Sequence, residues 1–276
     1  MPVAAKRFIR KLRGGAQAHL IEGADGNYYA VKFVENPQHR RILVNELIAS
    51  VFLEFLEITA PKAAIISVDA GFLEEFPEVG IQLGQTRQPV SVGWHFGSRY
   101  PADPERVAVY DFLPDRLLRS LANFAHFAGV LAFDKWMGNC DARQSIFVRA
   151  QVRQYVAGAQ SVEKKFVALM IDHGYLFNGP QWSFTDSPLM GLYHRPSVYE
   201  LIRSWEDFEP WLSRIENFPE SVVEKAFRSV PTAWLKEDSD ELERLLTVLL
   251  RRCKKVRALL TAVRKTKPEL FPNWRE

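Results

Sequence analysis

The sequence is short of most features that mark a specialised class of protein. Its two cysteines, Cys140 and Cys253, lie far apart and form no metal-ligand spacing, so neither a disulfide framework nor a thiolate metal cluster is expected and a reducing compartment is the simplest reading. No apolar run approaches the roughly 20 residues that span a bilayer. The first residues contain no apolar signal-like core, which makes the cytoplasm the expected location. Charge of one sign is scarce: 36 Lys and Arg against 33 Asp and Glu leave a formal charge of +3. Outside the patches Lys6 to Arg13 and Arg251 to Lys267 the basic residues are scattered, so nucleic-acid binding has no strong signal. Internal repeats and low-complexity segments are missing as well. What remains, 276 residues of which 47% are hydrophobic and 25% charged, is an ordinary globular composition. It is enough for one large domain or two lobes around a substantial core.

The stretch that organises the chain is Leu131 to Val148, LAFDKWMGNCDARQSIFV. An apolar helical run with Asp134 and Lys135 near its end stops at Met137-Gly138. A tight polar turn follows, Asn139 to Gln144, and then an apolar strand over 145–149. Beyond a polar hairpin, a second apolar run ends in acid: Val167 to Ile171, then Asp172-His173-Gly174. Two strands, each with an Asp at its edge, hold two carboxylates over one pocket, an arrangement that suits a metal ion and a phosphoryl group.

Upstream, residues 5–34 read as strand, turn, strand, turn, strand. Gly23-Ala24-Asp25-Gly26-Asn27 supplies the positive φ angles of a hairpin. Gly14-Gly15-Ala16-Gln17, between the first two strands, has small residues that let backbone N–H groups approach an anion, with the Gln17 side chain as a further donor. It is neither a dinucleotide fingerprint nor a P-loop, and a plain hairpin turn is the alternative. Lys32 sits in the strand Tyr28 to Val34 among apolar neighbours, where an ammonium needs a paired acid. The next element, Pro37 to Leu56, is helical, and its Glu46 falls among the apolar positions rather than on the charged face. A strand lysine followed by a helix glutamate is the pair that fixes the lysine on nucleotide phosphates in protein kinases. A half-exposed helix acid is the alternative for Glu46.

Ala63 to Val68 and Val79 to Leu83 read as further strands. Residues 84–101, punctuated by Gly and Pro, read as the connection between a sheet lobe over 1–100 and a helical remainder over 101–276. Trp94, His95 and Phe96 in this connection would flank an adenine or simply fill the interface between the lobes, the latter being the expectation for Trp94. Helical spacing is expected over Val107 to Leu113 and Leu117 to Ala132. It returns over Ser197 to Trp205, Phe208 to Ile215, Pro219 to Arg228 and a long final helix from about Asp240 to Lys265. Asp238 is the expected cap of that last helix, with its Leu and Val stripe inward and its Arg and Lys residues outward.

The ordered set Gly14-Gly15-Ala16-Gln17, Lys32, Glu46, Phe96-Gly97-Ser98, Asn139-Cys140-Asp141 and Ile171-Asp172 resembles the HipA-like kinase domains. These are bacterial proteins of the protein-kinase-like fold, more distantly related to type II phosphatidylinositol 4-kinases. The resemblance runs from Gly14 to Gly174 and is to the stand-alone domains of the family, without the toxin's additional N-terminal region. It implies an α+β, two-lobed, protein-kinase-like fold with a small antiparallel sheet lobe and a mainly helical lobe. It also implies ATP and Mg2+ as cofactors and a protein Ser/Thr hydroxyl as acceptor, autophosphorylation included. Asp141 would be the catalytic-loop acid and Asp172 the metal-binding acid, with His173 in place of Phe. Lys32, positioned by Glu46, would hold the α- and β-phosphates beneath the Gly14 to Gln17 turn.

The resemblance has two departures. Kinases of this fold carry a metal-ligating Asn five residues beyond the catalytic Asp, and here that position is Ile146. Gln144, with an amide oxygen on a shortened loop, is the nearest replacement and Ser145 a poorer one. Arg143 stands where these proteins commonly carry His. A nucleotide-binding pseudokinase, a regulatory interaction protein and a lipid or small-molecule kinase therefore stay open beside the protein kinase, and the sequence leaves the oligomeric state undetermined.

Overall fold

The computed structural model describes residues 1–275. Alternating and aromatic-rich segments give strands β1 (Val3–Lys11), β2 (His19–Gly23), β3 (Tyr28–Lys32) and β4 (Ala63–Val68). A two-stranded ribbon of β5 (Gly80–Leu83) and β6 (Thr86–Pro89) follows, and then β7 (Gly93–Arg99). Strands β1, β2, β3, β7 and β4 close in that order into a barrel. Its core is Ile21, Tyr29, Val31, Phe33, Ile66 and Val68, with Phe72 and Ile81 beside them.

Residues 84–101 are thus not a linker. They contain β7, paired with β3 on one side and β4 on the other. The glycine that looks like punctuation has a packing cause: a Cβ on Gly97 would lie 2.5 Å from the Ile66 side chain. Only glycine lets this strand pass the barrel core there. Trp94 leaves its ring half exposed rather than filling an interface; it is its carbonyl that accepts from the Trp234 indole at 2.8 Å.

Helix α1 (Arg41–Phe55) buries Ile42, Leu43, Val44, Leu47, Ile48, Phe52 and Leu53, each worth roughly 1.5–3 kcal/mol of hydrophobic stabilisation. The short α2 (Ala70–Glu75) is capped by Asp69, which accepts from the Phe72 N–H at 2.8 Å. Beyond residue 100 the helical spacing misleads. Val109–Tyr110 is a strand, β8, because it pairs with β9 (Gln144–Gln151), which in turn pairs with β10 (Lys164–Ile171). Between β8 and β9 lie a one-turn α3 (Asp115–Leu118) and the fully buried α4 (His126–Met137). Ser197 to Trp205 forms only 3-10 turns, at Pro196–Tyr199 and from Trp205. The remaining helices are α5 (Trp211–Glu216), α6 (Glu220–Ser229), α7 (Thr232–Leu235), α8 (Ser239–Arg252) and α9 (Val256–Thr266). The last two are separated by a 3-10 turn at Cys253–Lys255 where a single long helix is expected.

Two ionic contacts depart from the outward-facing expectation. Asp238 stands at the N-cap of α8 as expected, but its carboxylate makes no capping hydrogen bond and instead takes Arg41 at 2.8 and 3.0 Å. Arg252 is buried, donating to the Trp136 carbonyl at 3.1 Å and pairing with Asp186 at 2.7 Å. Among the described residues no helix is long and apolar enough to cross a membrane.

Helix α1 precedes residue 100 in sequence, yet its apolar face shares one core with α4, α5, α6 and α8, while the barrel keeps a separate core. Polar contacts tie it the same way. Asn45 shares its amide hydrogens among the carbonyls of Gly174, Leu176 and Gly179, and accepts from the Trp182 indole at 2.8 Å. Arg41 adds Glu241 and the Pro180 carbonyl and lies 4.2 Å over the Trp182 ring. Glu46 therefore rides on an element fixed to the helical unit, whereas Lys32 belongs to the barrel.

Candidate functional site

A cleft of about 660 Å3 opens between the barrel and the β8–β10 sheet. Its wall brings together Gly14, Gly15, Ala16, Gln17, Lys32, Glu46, Phe96, Asp141, Gln144 and Asp172, whereas Trp94, His95 and Ser145 do not line it. Segments separated by more than a hundred residues converge because two registers align. On β3, Lys32 lies opposite Phe96 of β7. On the lower sheet, Gln144 lies opposite Ile171, which puts Asp172 just off the end of β10.

Lys32 is the hub. Its ammonium pairs with Glu46 and with Asp172, the latter at 3.0 Å. Burial disfavours the ammonium, but the two carboxylates outweigh it and raise the pKa. Burial likewise opposes the Asp172 carboxylate, and Lys32, Arg143 and Gln144 reverse that and lower its pKa. Asp172 sits at φ 60°, the left-handed region that Asp tolerates better than most residues. The residue two places on must be glycine: a Cβ on Gly174 would lie 2.4 Å from Ile42 of α1. The Asp-His-Gly turn and the helix that carries Glu46 are thus in direct contact.

The Gly14 to Gln17 turn is closed by the Gln17 N–H donating to the Gly14 carbonyl at 3.1 Å. One hydrogen of the side-chain donor expected of Gln17 is already committed. Its amide exchanges two 2.7 Å hydrogen bonds with the Gln82 backbone of β5, anchoring the turn to the ribbon. The backbone of this turn and the second amide hydrogen of Gln17 are left to meet an anion.

Asp141 is half buried in the lower wall, its backbone held by the Asn139 side chain at 3.1 Å and its carbonyl accepting from Gly191 at 3.1 Å. Gln144 donates its amide N–H to Asp172 at 3.0 Å. Ser145, the poorer candidate, is buried on the opposite face of β9 and donates to the Tyr193 hydroxyl at 3.2 Å. Ile146 is the strand residue opposite Leu169 and lines the cleft two positions from Gln144. Its place is the floor of the apolar end of the cleft, not a ligand position.

Beneath this wall lies a network that sequence reasoning missed. Arg143, fully buried, donates to Asp134 of α4 at 2.8 Å, to the Ile171 carbonyl at 2.6 Å and to His173 Nδ1 at 3.0 Å. That fixes the His173 tautomer, with Nε2–H donating to the Met170 carbonyl at 3.1 Å. Burial, then the Arg143 charge, holds the imidazole neutral, well below its ordinary pKa. Asp134 also accepts from Asn139 at 3.0 Å. One arginine thereby links the Asp141 loop to the Asp172 turn. The adjacent Lys135 donates to the carbonyls of Ser187, Pro188 and Met190, holding the segment that leads into Gly191. Burial pushes this ammonium down to about 8, Asp134 partly opposing. The available signal was the one that flagged Lys32: a charged pair, Asp134-Lys135, inside an otherwise apolar helix.

The model of the HipA-like kinase family matches residues 6–267. This chain belongs to the HipA-like kinase family. Together with the barrel and the helical unit that face each other across the cleft, this makes the fold α+β, two-lobed and protein-kinase-like, and the chain a kinase by family. Among solved structures the chain is similar to the Golgi casein kinase with Mn/ADP bound, at 11% identity and a TM-score of 0.49, over 96% of this chain and 74% of that one. A second structure of the Golgi casein kinase gives 11% identity and a TM-score of 0.48, over 96% and 73%. A search of curated protein sequences finds no match.

Proposed function

We propose that this HipA-like kinase is an ATP- and Mg2+-dependent phosphotransferase whose acceptor is a protein Ser or Thr hydroxyl. The observation that carries the reading is the single cleft in which Lys32, paired with Glu46 and Asp172, faces Asp141 beneath the Gly14 to Gln17 turn. Phosphoryl transfer needs positioning and charge neutralisation more than covalent help from the protein, and this set supplies both. Residues 1–100 act as the clamping lobe and 101–276 as the catalytic lobe, with α1 fastened across the boundary.

In this reading Lys32 holds the α- and β-phosphates and Glu46 keeps it aimed, while the backbone of Gly14 to Gln17 covers them. Asp141 orients the acceptor hydroxyl and takes its proton. The hydroxyl oxygen bonds to the γ-phosphorus as the bond to the β,γ-bridging oxygen breaks, and ADP leaves. Among the described residues no three His, Cys, Asp or Glu side chains converge into a preformed metal cage. The donors present are oxygens, which suits a hard cation that keeps water and binds through a carboxylate and substrate phosphates. Asp172 would hold it, with the Gln144 oxygen second once that amide turns from its present donation to Asp172. When bound, the cation would neutralise phosphate charge. Exposed Leu189 and Met190, next to the Gly191 contact with Asp141, offer an extended acceptor an apolar rest.

The second reading, a nucleotide-binding pseudokinase that regulates a partner, is favoured by the same Gln144 contact, in which the amide presents N–H rather than oxygen to Asp172. The deciding experiment follows radiolabelled γ-phosphate into the protein and into lysate, with slow ATP hydrolysis measured alongside. Asp141→Asn should reduce transfer about a hundredfold or more and leave nucleotide affinity unchanged. Equal hydrolysis by wild type and variant would remove Asp141 from the catalytic role.

A further inference from the structure

The two strands that bracket the cleft carry matched pairs. On β3 the ammonium of Lys32 and the methyl of Ala30 lie on one face, and on the first positions of β9 Gln144 and Ile146 do the same. Both pairs are two residues apart, about 7 Å along a strand. The cleft thus has a charged end for phosphates and an apolar end, between Ala30 and Ile146, of the right character for the faces of a flat base. Pro61 and Val109 to Asp111 complete the lining, and the edge of a base stacked on Ala30 meets the β7 side of the wall, Ser98 to Pro101, because Ser98 is the partner of Ala30 in the ladder.

The backbone donors of this wall are largely used already. The Arg99 N–H donates to the Lys62 carbonyl at 2.8 Å, and the Tyr100 N–H donates to the Tyr28 carbonyl at 2.7 Å. Pro101 has no N–H. Ser98 lies inside the ladder, opposite Ala30 on β3 and Ala63 on β4. Cross-strand partners share a face, so its hydroxyl stands between two methyl groups in a shallow recess that opens on the cleft. That hydroxyl makes no hydrogen bond to any other described residue. Of the other side-chain donors here, the Arg99 guanidinium is turned to Asn27 at 2.5 Å, and Tyr100 stands level with Tyr28, about 7 Å along the strand from the Ala30–Ser98 pair.

We infer that the Ser98 hydroxyl, and no backbone N–H, reads the ring nitrogen on the Watson–Crick edge of the bound adenine, which makes Ser98 the base-specificity residue of this site. The wall's carbonyl oxygens are then left for the exocyclic amino group. The inference rests on the proposed nucleotide reading and goes one step further, to how the base is recognised.

The test compares ATP with 1-deaza-ATP, in which that ring nitrogen is a C–H, by calorimetric titration of wild type and Ser98→Ala. One neutral hydrogen bond predicts that wild type binds 1-deaza-ATP about fivefold more weakly than ATP. Ser98→Ala should weaken ATP by the same factor and leave 1-deaza-ATP unchanged, so that the variant no longer distinguishes the two ligands. Alanine matches both neighbours of the position, and melting temperature checks that the variant is folded. A preference for ATP that persists in Ser98→Ala would mean that a backbone N–H is released on binding, and would overturn the inference. Equal binding of both ligands by wild type would overturn it too, because the ring nitrogen would then be unread. Absence of any ATP binding by wild type is a separate result that removes the nucleotide reading itself.

Discussion

Two ionic clusters sit back to back at the centre of the molecule, separated by the Ile171-Asp172-His173 backbone. The upper one, Lys32 with Glu46 and Asp172, reaches the cleft through Asp172, which is 31% exposed, while Lys32 is 12% exposed and Glu46 5%. The lower one, Arg143 with Asp134, is sealed at 1% and 0%. A charge pair at an open surface can exchange a partner for water or for a ligand at small cost, because solvent screens it. A sealed pair cannot, since removing one member strands the other in a medium of low polarity. The two clusters therefore suit different tasks. The open cluster is built to be rearranged by what enters the cleft, and the sealed one holds Asp141 and Asp172 at a fixed separation while that happens.

The largest effect should come from the sealed cluster. Arg143→Ala leaves the Asp134 carboxylate buried with only Asn139 as partner and unpins the Ile171 carbonyl. Breaking a buried pair in this way costs about 3–5 kcal/mol, read as a lowered midpoint in urea unfolding. Replacing both members with apolar residues of similar size, Arg143→Met with Asp134→Leu, should recover much of that stability but not phosphoryl transfer, because the link between the two loops stays cut. A double variant that recovered transfer as well would show that Arg143 serves packing alone.

The open cluster was legible in the sequence and the sealed one was not, for a physical reason. Lys32 in an apolar strand and Glu46 among apolar helix positions each violate the period of their own element, so each asks for a partner without knowledge of the fold. Arg143 lies in a polar turn, where a charge is unremarkable, and only the fold shows that the turn is folded inward onto α4. The same limit explains β7 and β8. Gly93 and Gly97 carry the local signature of a loop, and only the tertiary packing against Ile66 reveals the central strand. Val109–Tyr110 is a strand solely because Val148 and Phe147 lie beside it. Gln17 was placed correctly in the turn, yet its side chain is occupied by a ribbon strand more than sixty residues away.

A middle-sized effect is expected at Lys32. A nucleotide that binds the folded state stabilises it by mass action, about 2.7 kcal/mol at a hundredfold excess over Kd. Lys32→Met should abolish this ATP-induced rise in melting temperature. Glu46→Gln should only reduce it, since the lysine keeps its charge and its Asp172 contact. An unchanged ATP shift in Lys32→Met would show that the open cluster is structural like its neighbour, and the contrast between the two would collapse.

The smallest effect concerns Gln144 at the edge of the open cluster. Its amide touches Asp172 from the solvent side, whereas Ser145, the next residue, points into the sealed interior toward Tyr193. If Gln144 supplies an oxygen to the cation, Gln144→Ala should raise the Mg2+ concentration needed for half-maximal activity about fivefold, the scale of one lost hydrogen bond or neutral ligand. Ser145→Ala should leave that titration unmoved and show its cost in stability instead, because the hydroxyl it removes is buried beside Tyr193. Gln144→Glu separates ligand from hydrogen-bond donor. A carboxylate keeps an oxygen for the cation but repels Asp172 in its absence, so tighter Mg2+ dependence with lower stability of the metal-free protein marks a ligand. A titration identical in wild type and Gln144→Ala would make Gln144 only the donor that the structure shows, and leave Asp172 as the single protein ligand of an open, exchangeable site.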